Sequence, residues 1–292
     1  MIDSMRASYT ITELCNALGV SRGGYYAARG RPPSRREQEN GELLEAMKAV
    51  HQHRHTRNYG SPRMIHELHS QGLVCSENRV ARLMRREGLR ATPRKPFRPK
   101  TTCPDHAAHP SPNLLAKAAP PTAPGTQVVS DITYIPTRQG WLYLIIVLDL
   151  FSRAILGWKV ADSLDASLVT GALRRAIASG RISANAIFHS DRGCQYTAGV
   201  TRAQLARAGL RQSMSAAGYC YDNAFAESAF ASIKNELLPE QTVFESKSAA
   251  STALFDYLET FYNRKRLHGS LGFTSPNDFL NNYFQKLNPS LN

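Results

Sequence analysis

The feature that most constrains the fold is a ten-residue apolar run, Trp141 to Leu150 ("WLYLIIVLDL"), interrupted only by Asp149. That is about half the length a helix needs to cross a bilayer. A run this short that is apolar on every side reads as a strand buried on both faces. Its neighbours agree. "VVSDITYIP" before it is β-rich, and "AILGWKV" follows as a third strand after a turn at Ser152–Arg153. Next come "SLDASLVTGALRRAIASG", helical and ending at Gly180, then a short strand, "AIFHSD". Two further helices follow, "TAGVTRAQLARAGL" and "YDNAFAESAFASIKNELL". This order predicts a mixed α/β domain over residues 128–292, and open α/β sheets place their sites at strand ends.

Residues 1–90 read differently, as helices. "TITELCNALGVSRGGYYAARG" predicts a short helix, a turn at Gly19 and a second helix capped by Ser21, a spacing that resembles a helix-turn-helix. A second pair is expected with Ser61 as cap and Pro62 at the first position, ending near Gly72, then with Ser76 as cap, ending at Gly88. On that last helix Val80, Leu83 and Met84 form an apolar stripe, and Arg79, Arg82, Arg85 and Arg86 a basic one. Between the two regions, residues 91–127 hold nine of the 16 prolines and the basic residues Arg94 and Lys95. Proline removes donors and fixes φ, so this linker should be extended rather than packed.

Charge bears on partners. The chain carries +13, and residues 1–110 hold 19 of the 36 basic residues but only 10 of the 23 acidic ones. A basic helix face running into a basic arm suits a nucleic-acid backbone, although the same residues also make an ordinary solvated face. Five scattered cysteines (Cys15, Cys75, Cys103, Cys194 and Cys220) offer no disulfide framework or zinc ribbon. The group His51, His53, His55, His66, His69 and Cys75 lacks the paired spacing of a structural zinc finger. With no signal peptide in evidence, a soluble, intracellular protein is expected.

The acids carry the chemistry. Two-metal cleavage of phosphodiesters needs several carboxylates converging on one point, with hard oxygen ligands for Mg²⁺. Asp131 and Asp191 lie in strands and can meet if those strands are neighbours. A third acid must come from an element crossing the sheet's end. Glu227 fits, about 100° from the centre of the buried stripe Ala226, Ala229, Phe230, Ile233 and Leu237. Lys234, two turns on, returns to nearly the same azimuth, where a cation can hold a DNA phosphate. Asp222 and Asn223 suit the helix start. Taken singly, each acid also has a plain structural reading, and Asp149 in "LDLFSR" competes as either a supporting acid or a replacement for one of the three.

Thirty-five residues separate Asp191 from Glu227, the D-D-35-E arrangement of retroviral integrases and one group of bacterial transposases. "DITYIPTRQGWLYLIIVLDLFSRAILGW", "HSDRGCQYT", "GYCYDNAFAESAFASIKNEL" and "FYNRKRLHGSLGFTSPNDF" resemble transposases of the insertion sequence three (IS3) family. So does the upstream helical segment "YGSPRMIHELHSQGLVCSENRVARLMRREGL". Val128 departs from the pattern, standing where relatives often have tryptophan. The resemblance implies a ribonuclease H-like catalytic core in which Asp131, Asp191 and Glu227 bind two Mg²⁺ or Mn²⁺ ions, with Lys234 beside them. Asn223, Arg79, Arg82, Arg85, Arg86, Arg94 and Lys95 are expected DNA contacts. It also implies DNA as partner, a multimer when two ends are synapsed, fusion to an upstream-frame product, and a nucleoid-associated place in the bacterial cytoplasm. Two rivals share these residues: a DNA-binding regulator of transposition, and a metal-dependent nuclease that does not join.

Overall fold

The computed structural model describes residues 2–91, 110–215, 224–238 and 243–287. Six helices come first: α1 (Ile2–Met5), α2 (Ile11–Ala17), α3 (Arg22–Gly30), α4 (Arg35–Gln52), α5 (Ser61–Ser70) and α6 (Glu77–Arg86). Ser21 and Ser76 cap α3 and α6 as expected, each accepting a backbone N–H from three residues on. Ser61 does not cap α5. Extended Gly60 is the N-cap, Ser61 is already helical, and its hydroxyl turns to Glu77 at 3.3 Å instead.

The α/β region opens with β1 (Gln127–Thr137), β2 (Gly140–Asp149) and β3 (Ile155–Ala161), joined antiparallel. After α7 (Ala166–Ala178), β4 (Ile187–Ser190) pairs parallel to β1. Then α8 (Cys194–Thr197) and α9 (Gly199–Arg207) lead to β5 (Arg211–Met214), parallel to β4, in the sheet order β3-β2-β1-β4-β5. This fifth strand is absent from the sequence reading. Its four residues, Arg-Gln-Ser-Met, carry no alternation and only one apolar side chain, so its strand character comes from the register with β4. The chain continues through α10 (Ala224–Leu237), α11 (Lys247–Asp256), a π-helical turn at Tyr257–Tyr262, and α12 (Pro276–Leu287).

From Leu144 to Leu148 the apolar run is an internal strand buried on both faces, whereas Trp141 at its start is exposed and Tyr143 half-buried. Leu144, Ile146 and Leu148 enter one cluster, with Ala226, Phe230 and Ile233 of α10. Ile145 and Val147 enter the other, with Leu168, Ala172 and Leu173 of α7. On that second face α7 lies so close to β3 that a Cβ on Gly157 would stand 2.4 Å from the Ala172 carbonyl oxygen. The first cluster also takes in Leu43, Met47, Met64, Leu68, Val80 and Leu83, so the helices α4 to α6 share a continuous apolar interior with the sheet.

The linker reading needs correction at its C-terminal end. Residues 110–119 pack against the sheet edge, where the Leu114 N–H donates to Ser213 Oγ at 2.9 Å, and Leu115 joins the core. Ser213 is on the edge strand β5, and its neighbour Gln212 accepts the Ser111 hydroxyl at 2.8 Å, so β5 side chains give this segment its partners. Pro93, Pro96, Pro99, Arg94, Lys95 and Cys103 lie outside the described residues.

Candidate active site

The site follows from one register. Val129 of β1 pairs with His189 of β4 in a parallel ladder. Asp131, part-way along β1, and Asp191, the residue just past β4, each lie two residues further on, so both stand at one height beside the C-terminal end of β4. They line one polar cleft with Gly193, Gln195 and Tyr196. The Ile132 N–H donates to Asp131 Oδ1 at 2.8 Å, and the Gly193 N–H to Asp191 Oδ1 at 3.0 Å. Glycine suits position 193 because a Cβ there would come within 2.9 Å of Gln195 Oε1 and 3.1 Å of Asp191 Oδ1.

Electrostatics mark the cleft as short of positive charge. Burial, and then the Asp191 carboxylate, push the Asp131 carboxyl up to about 8; Glu227 adds to the shift, while the Ile132 N–H and Lys234 oppose it. Burial and the same two aspartates raise the Tyr196 phenol, which meets Ser130 Oγ at 3.0 Å. Two hard carboxylates repelling each other in a desolvated cleft form a donor set that suits a divalent cation such as Mg²⁺.

Glu227 is in the first turn of α10, exposed, and near enough to act on Asp131. Among the described residues, no three His, Cys, Asp or Glu side chains converge closely enough to hold an ion. The structure therefore joins Asp131 to Asp191 and leaves Glu227 standing off from the pair. Lys234 is half-buried on the same helix. The buried stripe is Ala226, Ala229, Phe230 and Ile233 as anticipated, but its last member is Glu236, with Leu237 only half-buried. Asn223 and Asp222 lie outside the described residues.

Asp149 is a structural acid. It is fully enclosed, and its carboxylate accepts the Gly125 and Ser152 N–H groups, both at 2.9 Å, and the Ser152 hydroxyl at 2.5 Å. These bonds hold the turn in which Arg153 adopts φ 60° and lays its guanidinium 3.9 Å over the Phe225 ring, two residues before Glu227.

On α6, Arg82, Arg85 and Arg86 are exposed. Arg79 is not part of that face, because its guanidinium turns inward to Asn40 Oδ1 at 2.8 Å and Glu39 at 3.3 Å. The histidines are individually engaged. His51 meets the Tyr59 carbonyl oxygen, His55 meets Asp256, His69 meets the Cys75 carbonyl oxygen, and His66 stacks on Phe273. Sequence reasoning missed Gln195, Tyr196 and the buried pair Glu236–Arg266. The first two follow Asp191 closely enough to have been found from "HSDRGCQYT". The pair carries no local signal, since its partners are thirty residues apart.

Two integrase core domain models match residues 121–220 and 208–276, and an HTH-like domain model matches residues 37–97. The chain is 37% identical over 281 residues to the transposase InsF of insertion sequence IS3A from Escherichia coli (strain K12), covering 96% of this chain and 97% of the relative. It is 38% identical over 272 residues to an uncharacterized 31 kDa protein of insertion element IS600 from Shigella sonnei, covering 93% and 99%. A solved catalytic core of BIV integrase is 19% identical with a TM-score of 0.41, covering 56% of this chain and 99% of that one. The matched models thus define an integrase-core enzyme, a polynucleotidyl transferase on a mixed α/β sheet. Within that class the chain belongs to the IS3 family of transposases, for which metal-dependent DNA cleavage and strand transfer are typical.

Proposed function

We propose that this transposase cuts and rejoins DNA at the ends of its insertion sequence with Asp131, Asp191 and Glu227 as its acidic triad and two Mg²⁺ or Mn²⁺ ions. The carrying observation is the equal height of Asp131 and Asp191 in one buried cleft, where each raises the need for a cation. Bound divalent ions supply activation of the attacking oxygen and neutralise charge on the leaving one. The two strand acids hold that position from a rigid sheet, and Glu227 completes the set from α10. Lys234, two turns along, takes a DNA phosphate beside the acids. Water is the first nucleophile and frees a 3′-hydroxyl; that hydroxyl then attacks a second phosphodiester in line, with no covalent protein–DNA link.

The helical region 1–90 is the DNA-holding part, through Arg82, Arg85 and Arg86 of α6, continuing into Arg94 and Lys95 of the linker that follows it; the α/β region from β1 onward is the catalytic part, with Asn223 a further DNA contact. Arg79 serves packing instead. Synapsis of two ends calls for a multimer, and fusion to the upstream-frame product supplies further end recognition. The protein works in the bacterial cytoplasm, on the nucleoid. Among the described residues no helix is long and apolar enough to cross a membrane.

The test is cleavage and joining of a labelled element end by wild type and Glu227→Gln. Joined products absent in the variant with DNA binding retained support the reading. Equal activity removes Glu227 from the triad. Nicks without joints favour the nuclease, and inactivity of both favours the regulator or a need for the upstream partner.

A further inference from the structure

Nine residues beyond Glu227 on the same helix, Glu236 is 4% exposed and so is its partner Arg266. The guanidinium forks onto it, Nη2 to Oε1 at 2.8 Å and Nε to Oε2 at 3.0 Å. Tyr257 of the π-helical turn donates its hydroxyl to Oε2 at 2.5 Å, and Arg63 Nη1 of α5 stands 3.4 Å from Oε1. The backbone of this turn is held as well. Asn58 Nδ2 donates to the Asn235 carbonyl oxygen at 2.7 Å, and Arg57 Nη2 to that of Glu236 at 3.3 Å. The last carbonyls of a helix have no partner within it. Here the loop before α5 supplies them from about 180 residues away in sequence.

A buried ion pair adds little stability over a well-packed apolar pair, yet its geometry is unforgiving. The rest of α10 sits on an apolar stripe that includes two alanines, Ala226 and Ala229, and apolar packing alone does not fix a helix's register. A slip of one residue would shift Glu227 by about 1.5 Å along the axis and about 100° around it. The clamp removes that freedom. We infer that Glu236, gripped by Arg266, Tyr257 and Arg63 while Asn58 of the helical region holds the neighbouring Asn235 carbonyl, is a positioning residue that sets the azimuth of Glu227 and couples the DNA-holding helices to the catalytic acid. This rests on Glu227 being the third acid.

The test uses the full chain with Asn58→Ala, Arg266→Lys and Glu227→Gln. Asn58→Ala removes a single part-buried hydrogen bond, so it should fold even where a substitution at Glu236 does not. A positioning role lowers kcat in Mg²⁺ about tenfold or more, while KM for the DNA end stays within about twofold. Mn²⁺ should restore part of the activity, because Mg²⁺ demands near-ideal octahedral geometry. Without DNA, hydrogen exchange should quicken in residues 224–238 and not in β1 or β4, and Mn²⁺ binding by electron paramagnetic resonance should weaken. Unchanged kcat and exchange in both clamp variants, with Glu227→Gln inactive, would overturn the inference alone. Uniform loss of protection across the core would also overturn it, as the mark of a merely structural role. An active Glu227→Gln would overturn the triad reading, and the inference with it.

Discussion

Asp131 on β1 and Asp191 just past the end of its parallel neighbour β4 stand level with each other, each two residues past the paired Val129 and His189. Strand acids so placed repel unless a cation lies between them, which is why Asp131 is pushed up to about 8 by burial and by Asp191. Asp131→Asn should therefore raise the metal-free melting temperature, by about 2–4 °C for each kcal/mol of repulsion removed. The same change should abolish cleavage and the stabilisation that Mg²⁺ gives the wild type, since binding to the folded state alone raises stability. Scanning calorimetry with and without Mg²⁺ measures both. A variant that melts lower without metal, yet still gains from it, would count against the paired-acid site.

Acid sensitivity should centre on His268. Burial first, and then Arg266, Arg63 and Arg153, lower its imidazole to about 3. The unfolded chain, with histidine near 6.5, takes up this proton before the folded one does. The contribution is thus complete above about pH 6.5 and is lost as pH falls toward about 3, at up to about 1.4 kcal/mol per pH unit. Burial lowers His51 and His55 as well, with the same sign. Urea unfolding between about pH 7 and pH 5 should show a shallower loss for His268→Gln than for wild type. Identical slopes would assign the acid lability elsewhere.

Gly157 lets α7 approach β3 with room for a hydrogen only: an added Cβ would meet Ala172 O at 2.4 Å and Ala176 N at 2.6 Å. Both neighbours are backbone atoms, so neither can swing away. Gly157→Ala should destabilise the fold by about 1–3 kcal/mol, as overpacking does. Denaturant melts would show the midpoint falling with little change in slope. A stability equal to wild type would mean that α7 is free to shift outward.

The parts legible in the sequence are those set by local pattern. The run around Ile145 announced a strand buried on both faces, and Asp131 inside one β-rich stretch and Asp191 at the end of another were both readable. Ser21 and Ser76 were readable as caps because a cap bonds only three residues ahead. What escaped depends on partners distant in the chain. Arg211–Met214 becomes a strand through its register with Ile187–Ser190, and no feature of Arg-Gln-Ser-Met reports that. Glu236 looks like a surface acid until Arg266 and Tyr257 are placed around it. Arg79 lies on the arginine side of α6 by helical arithmetic, yet Asn40 and Glu39 of α4 draw it inward. Helix geometry offered Glu227 at the edge of the buried stripe and the spacing and family resemblance reinforced it, but its exposed place on α10 shows, among the described residues, no convergence with the two aspartates.

That last distinction separates two kinds of arginine on α6, and the separation can be measured. Arg82, Arg85 and Arg86 face solvent, whereas Arg79 is tied to α4. Replacing the first three with Ala should weaken DNA binding and reduce the slope of log affinity against log salt. The reduction should be about 0.7–0.9 for each phosphate no longer neutralised. Thermal stability should hardly move, because exposed substitutions away from special features typically stay within about 0.5 kcal/mol. Arg79→Ala should do the reverse, lowering stability by about 1 kcal/mol or more by removing the bonds to Asn40 and Glu39 while leaving the salt slope in place. Fluorescence anisotropy across a salt series, paired with melts of the same proteins, gives both quantities. A slope unchanged in the triple variant would make that face a solvated surface, and a slope reduced by Arg79→Ala would mean its guanidinium leaves α4 to reach the DNA.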